Sequence, residues 1–166
     1  MDRYSVSIVL CTATQPALDS FFSKNELIKE LCPRIEDQFR FFKRVNYQNI
    51  GIIKHETLLE KLKKENNALC IVNTKKSAQM IYKELSGEGI YHLSTSMYPR
   101  HRKRVLRAIR KRLENNEKCI LISTSLVEAG VDLDFESVYR QISGLDSMIQ
   151  AAGRCNREGK RKVLES

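Results

Sequence analysis

No stretch of this chain approaches the roughly 20 consecutive apolar residues that a membrane-spanning helix needs. Its opening, MDRYSVSIVLCTATQ, is polar and charged where a secretory leader would be apolar. A soluble, cytoplasmic protein without membrane contact is expected. There is no internal repeat and no low-complexity tract. No C-x-x-C pair occurs, and His55, His92 and His101 do not fall at zinc-ligand spacing. Of the five cysteines, Cys11, Cys70 and Cys119 lie inside apolar runs, where a thiol behaves as a small buried hydrophobe. Reduced thiols and no structural metal are therefore expected.

Acidic residues are missing from one place above all. From Arg100 to Arg112 there are six arginines, two lysines and one histidine but no Asp or Glu, in a chain of net charge +9. A concentrated basic stripe is the footprint of a phosphate-backbone binder, and equally that of a solvated helix face. Periodicity divides it. Val105, Leu106, Ile109 and Leu113 make one apolar face, which leaves Arg100, Lys103, Arg104, Arg107, Arg110 and Lys111 mostly toward water.

What is present suffices for one cored domain, or a domain with a short flanking piece: 166 residues, 42% of them hydrophobic. Residues 6–10 are an apolar run ending in Cys11-Thr12-Ala13-Thr14, the pattern of a buried strand entering a loop. Residues 24–31 suit a short helix that Pro33 stops, and 33–43 read as a linker. Beyond it, strands and helices alternate. Strand character is expected at 45–48, 68–73, 90–93, 119–123 and 138–141, and helices at 55–66, 75–85, 99–115 and 145–152. Short connections between such elements imply an α/β fold with a mostly parallel sheet covered on both faces. Ligands of such sheets bind at the carboxyl ends of the strands, and each polar cluster below is assigned to such an end.

Two segments carry chemistry. In Gln150-Ala-Ala-Gly-Arg-Cys-Asn-Arg157, Arg154 and Arg157 stand three apart on one side of a turn, and Gly153 permits close backbone approach. A planar, permanently charged donor suits the oxygens of a transferring phosphoryl group, although G-R-x-x-R serves a salt-bridged pair as well. In Ser123-Thr124-Ser125 the hydroxyls end a strand and can meet a phosphate, and Gly130 then turns the chain to present Asp132. The same hydroxyls with Glu128 also fit a capping box.

Taken in order, these segments resemble the third to sixth motifs of superfamily 2 helicases. Thr12-Ala13-Thr14 is similar to the coupling motif, Ile71-Val72-Asn73-Thr74 to the fourth, Ser123 to Asp132 to the fifth, and Gln150 to Arg157 to the sixth. The runs CTATQP, IVNTKKSAQ, HLSTSMYPRHR, LVEAGVDLDF and GLDSMIQAAGRCNREG narrow the resemblance to the CRISPR-associated helicase-nucleases of type I interference. Neither G-x-x-x-x-G-K-[ST] nor D-E-x-H occurs, so the groups that cradle phosphates and hold magnesium are not among these residues.

The resemblance implies a RecA-like three-layer fold. Residues 1–33 are expected to be the end of a first lobe with its linker, and 34–166 a second lobe that stops before its last strand. It implies ATP and Mg2+ as cofactors of the whole protein, with single-stranded DNA, a first helicase lobe, a nuclease domain and a CRISPR effector complex as partners. Arg154 and Arg157 would act as arginine fingers, Gln150 would position nucleotide or water, and Gly130 and Asp132 would face the ribose or fix the arginines. Asn73, Thr74, Ser94, Thr95 and Thr124 would touch the nucleic-acid backbone, and Thr12 and Thr14 would couple the two activities. The alternative is a RecA-like module that binds nucleic acid or a partner without catalysis.

Overall fold

The computed structural model describes residues 9, 34–41, 43–125, 131–157 and 159. The chain divides into two compact units, Met1–Phe39 and Arg40–Ser166. The expected strand at 6–10, the helix at 24–31 and the hydroxyls of Thr12 and Thr14 lie outside the described residues, as does Gly130; of these segments only Val9 is described, and it is exposed.

Within the second unit the alternating pattern becomes a layered sheet. The elements are α2 (His55–Lys64), β1 (Asn67–Ile71), α3 (Lys75–Leu85), β2 (Ile90–Leu93), α4 (Pro99–Glu114), β3 (Cys119–Ser123), β4 (Ser137–Arg140) and α5 (Leu145–Ala152). Among the described residues four strands, all parallel, stand in the order β2-β3-β1-β4. The crossovers put helices on both faces. Ala68, Cys70 and Val72 of the β1 segment, with Ile120 and Ile122 of β3, pack under α2 and α3 through Leu59, Leu62, Ala78, Ile81 and Leu85. The alternate residues Leu69, Ile71, Cys119 and Leu121 pack on the other face with Ile109 of α4, Ala151 of α5 and the fully buried Phe135. The period of two thus feeds two cores from one strand.

Two expectations are corrected. The 33–43 linker contains a helix, α1 (Ile35–Phe41), with Glu36 and Asp37 in its first turn and Arg40 in its last. Those charges complement the helix dipole at both ends, a signal that apolar periodicity does not carry. The strand expected at 45–48 does not form, and residues 43–50 have no regular structure. Their backbone is engaged otherwise: the Arg44 carbonyl accepts from Asn156 Nδ2 at 3.1 Å and its guanidinium donates to the Arg157 carbonyl.

Gly89 sets the turn from α3 into β2. Its φ is +81°, and a Cβ there would collide with the Lys118 carbonyl oxygen, while its own carbonyl accepts from Ile120 N at 2.8 Å. Gly89→Ala combines left-handed strain with a backbone clash and is expected to cost at least about 2 kcal/mol. A urea-unfolding midpoint equal to that of the unaltered chain would contradict this.

On β2, the His92 ring stacks on Tyr82 with centroids 5.5 Å apart, and burial holds its imidazole below the ordinary value of 6.5. The unfolded chain therefore takes up the proton first. Stability from this group is complete above pH 6.5 and is lost as pH falls toward the lowered folded value. Thermal unfolding of His92→Gln should show a shallower loss between about pH 7 and 5 than the unaltered chain. Parallel pH profiles would contradict it.

Candidate functional site

The candidate residues gather at two ends of the sheet. At the carboxyl end, Thr74 is the N-cap of α3: its Oγ1 accepts from Ser77 N at 3.1 Å and lies 2.7 Å from Ser77 Oγ. Asn73 ties the strand ends together. Its backbone N–H donates to Gln141 Oε1 at 2.8 Å, its Nδ2 to the Ile142 carbonyl at 2.9 Å, and its Oδ1 accepts from Arg140 Nη1 at 2.7 Å. Ser94 is buried, and its Oγ accepts from Ser96 N at 3.3 Å. Ser96 Oγ in turn receives Lys75 Nζ at 3.3 Å. Thr124 is also buried, whereas Thr95 and Thr74 are exposed. Of the five nucleic-acid candidates, then, Thr74, Thr95 and Asn73 face outward and Ser94 and Thr124 lie beneath them.

The arginines are placed differently from the expectation that every cluster lies at a carboxyl end. After β3 the chain must return to the amino end of the sheet before β4 can run parallel, and the segment from Val131 to Phe135 completes that return. Helix α5 then runs back along β4 and delivers Arg154 to the same end. The junction is a parallel bridge between Phe135 and Cys155, in which Phe135 N donates to the Arg154 carbonyl at 2.9 Å and Asn156 N to the Phe135 carbonyl at 3.0 Å. Since Phe135 is wholly buried, the arginine turn is anchored in the core.

Asn156 shapes that turn. It is buried, has φ +46°, and holds the Arg44 carbonyl through its amide. Asparagine tolerates the left-handed region better than other side chains. The reversal brings Arg157 between two acids: its backbone N–H donates to Asp134 Oδ1 at 2.7 Å, and its Nε lies 3.2 Å from Asp132 Oδ1. Asp132 is thus ion-paired with one of the two arginines. Both side chains are solvated, 42% and 77% exposed, so the pair is worth at most about 1 kcal/mol. Gln150 is exposed on the last turn of α5. Gly153 has φ −62°, so the turn does not depend on left-handed glycine there, and a Cβ would meet only helix carbonyls.

Sequence reasoning did not single out Asn156, Asp134, Arg44 or Arg140. An asparagine inside G-R-C-N-R was a legible turn signal. The other three act through spacings that only the fold creates. Among the described residues no group of three or more His, Cys, Asp or Glu is arranged to hold a metal ion.

A parallel sheet with helices on both faces, and a pair of arginines seated on a turn beside it, define a RecA-like α/β lobe. The chain belongs to the family of the CRISPR-associated nuclease/helicase Cas3, whose C-terminal model matches residues 64–160. It is 32% identical over 94 residues to the CRISPR-associated nuclease/helicase Cas3 of Methanothermobacter thermautotrophicus, an alignment covering 56% of this chain and 11% of that protein. It is 63% identical over 38 residues to the Haloferax volcanii protein of the same name, covering 23% of this chain and 4% of the relative. The chain therefore spans a small part of the curated relatives it matches.

Solved structures agree on the fold. The T. fusca Cas3-ADP crystal structure superimposes with a TM-score of 0.57 at 23% identity, over 74% of this chain and 17% of that one. S. cerevisiae Dbp5 bound to RNA and ADP BeF3 gives 0.53 at 26% identity, over 65% and 30%.

The turn geometry can be tested directly. Asn156→Ala loses the bond to Arg44 and places alanine at a left-handed φ, with an expected cost of about 2 kcal/mol, whereas Asn156→Gly keeps the backbone and should cost distinctly less. Equal unfolding midpoints for all three proteins would exclude this role.

Proposed function

We propose that the chain is the second motor lobe of an ATP-dependent DNA helicase or translocase acting in CRISPR antiviral defence. In this reading it works with a first helicase lobe and a nuclease domain, and with a CRISPR effector complex. The observation that carries it is the seating of Arg157 between Asp132 and Asp134 on a turn anchored by Phe135.

A guanidinium held by a weak, solvated ion pair is already oriented, and exchanges its carboxylate for a more highly charged phosphate at small cost. Arg154 and Arg157 then meet charge on the γ-phosphate when the lobes close, which makes hydrolysis depend on closure. Gln150 positions the nucleotide or the attacking water. Asp132, released from Arg157, faces the ribose, with Gly130 shaping its loop. ATP would be cradled by the opposite lobe, whose residues would also hold the magnesium that neutralises its phosphates, while Asp132 and Asp134 bond Arg157 in the open lobe. At the carboxyl end, Thr74, Thr95 and Asn73 meet the backbone of a single strand of DNA without reading bases, supported from below by Ser94 and Thr124. Thr12 and Thr14 link that grip to the nucleotide state.

In the full-length protein, Arg157→Ala should lower ATP turnover by roughly 10³–10⁵ while changing nucleotide affinity far less, because the charge it meets develops during reaction. Arg157→Lys should rescue little. The 166-residue chain alone should show no ATPase activity. Steady-state kinetics decide: near-normal turnover by Arg157→Ala would favour a lobe that binds nucleic acid or a partner without catalysis.

A further inference from the structure

Opposite the face of α4 that buries Ile109, the residues Arg100, Arg104, Arg107 and Lys111 recur at intervals of four, three and four. On a helix that is one straight row, roughly 16 Å long. All four are exposed, and Lys103 and Arg110 flank them, exposed as well. Among the described residues none of the six has an ion-pair partner. Arg112 behaves otherwise: it turns back to Glu88 at 2.5 Å and Glu117 at 3.5 Å and donates to the Lys118 carbonyl. One basic residue of the helix is structural, and the outward row is not.

The row works against its own helix. Like charges at spacings of three and four repel, and the first turn carries cations and no acid at the positive end of the helix dipole. Ordinary soluble surfaces intersperse both signs. A negative partner laid along the row would relieve that repulsion.

The position of the row indicates which one. Only residues 94–98 separate β2 from α4, so the row begins at the carboxyl end of the sheet, beside Thr95 and the Lys75–Ser96 contact. Tyr98, 83% exposed, stands at the corner. From there α4 runs back along the outside of the lobe. A regular line of cations continuous with the strand-end surface fits a regular polyanion. Arginine predominates, as phosphate recognition favours.

We propose that the outward row of α4 is a second phosphate track, along which a single-stranded nucleic acid continues after leaving the strand ends, with Tyr98 as a stacking platform where it turns. The proposal rests on the nucleic-acid reading of the strand ends given above, and extends it to a surface outside that edge.

The test uses the full 166-residue chain and fluorescein-labelled oligothymidylate, with anisotropy measured across a range of salt concentrations. A row variant carries Arg100→Gln, Arg104→Gln, Arg107→Gln and Lys111→Gln, and a strand-end variant carries Lys75→Gln and Thr95→Ala. Glutamine matches arginine and lysine in helix propensity, and circular dichroism verifies that α4 is retained. The row variant should bind at least about tenfold more weakly at low salt, and its salt slope should flatten by about 3 units, because four phosphates keep their counterions. The strand-end variant should weaken binding with a slope change of no more than about 1 unit. If only the strand-end variant loses affinity, the track is overturned and the strand-end reading stands. If neither does, both fall. If polyglutamate displaces the oligonucleotide from the unaltered chain as well as unlabelled oligothymidylate does, the row is a dock for acidic protein and the track is again overturned.

Discussion

β1 has a strand on each side and a helical layer on each face, and the candidate residues described in this unit take their places from it. It pairs with β3 from Asn67↔Cys119 to Ile71↔Ser123 and with β4 from Ala68↔Ser137 to Ile71↔Arg140. All five of its residues are buried. Each large apolar side chain it contributes is worth roughly 1.5–3 kcal/mol, and a slip of one residue would exchange the two cores. Register is therefore fixed, and with it the level at which Asn73 meets Gln141 and Ile142. The same burial pushes the thiols of Cys70 and Cys119 up to about 12, which makes them packing atoms and not nucleophiles.

Much of this was legible in the sequence because it depends on strong local patterns. The segment from Lys75 to Leu85 carries a helical stripe in Ala78, Ile81 and Leu85, and Thr74 in front of it is a good N-cap. Pro99 opens α4 at a position where its missing N–H costs nothing. The departures have physical reasons too. Val45 and its neighbours alternate like a strand, but a strand exists only where a partner's hydrogen bonds meet it, and here Arg44 is engaged with the arginine turn. The two ends of the sheet could not be told apart from motif order, because Asp132 and Ser123 are close in sequence while the intervening return separates them in space.

The candidate site shows the same limit. Residue type and spacing singled out Arg154 and Arg157, and the structure seats both on one turn. That Asp132 holds Arg157, and that Asp134 takes its backbone N–H, depends on Asn156 reversing the chain. The opposite end is built by side chains that close on each other: Ser123 Oγ donates to the Leu93 carbonyl at 3.1 Å, locking β3 to β2 beneath the exposed hydroxyls. On the amino side, Glu65 accepts from Tyr139 at 2.6 Å and from Ser137 at 2.9 Å, which fastens β4 to the end of α2; burial, and after it the bond to Glu65, holds the Tyr139 phenol above its ordinary range.

The Asn73 clamp has a mechanical meaning. It joins the chain just past β1 to the chain just past β4, while the other end of β4 leads within two residues to the Phe135–Cys155 bridge. β4 is thus a short strut tied at both ends, roughly 13 Å of extended backbone between the outward hydroxyls and the arginine turn. Its outer side is braced by Glu65 and its inner side is hydrogen-bonded to β1, so the level of the Asn73 clamp and that of the arginine turn are set by one and the same strand.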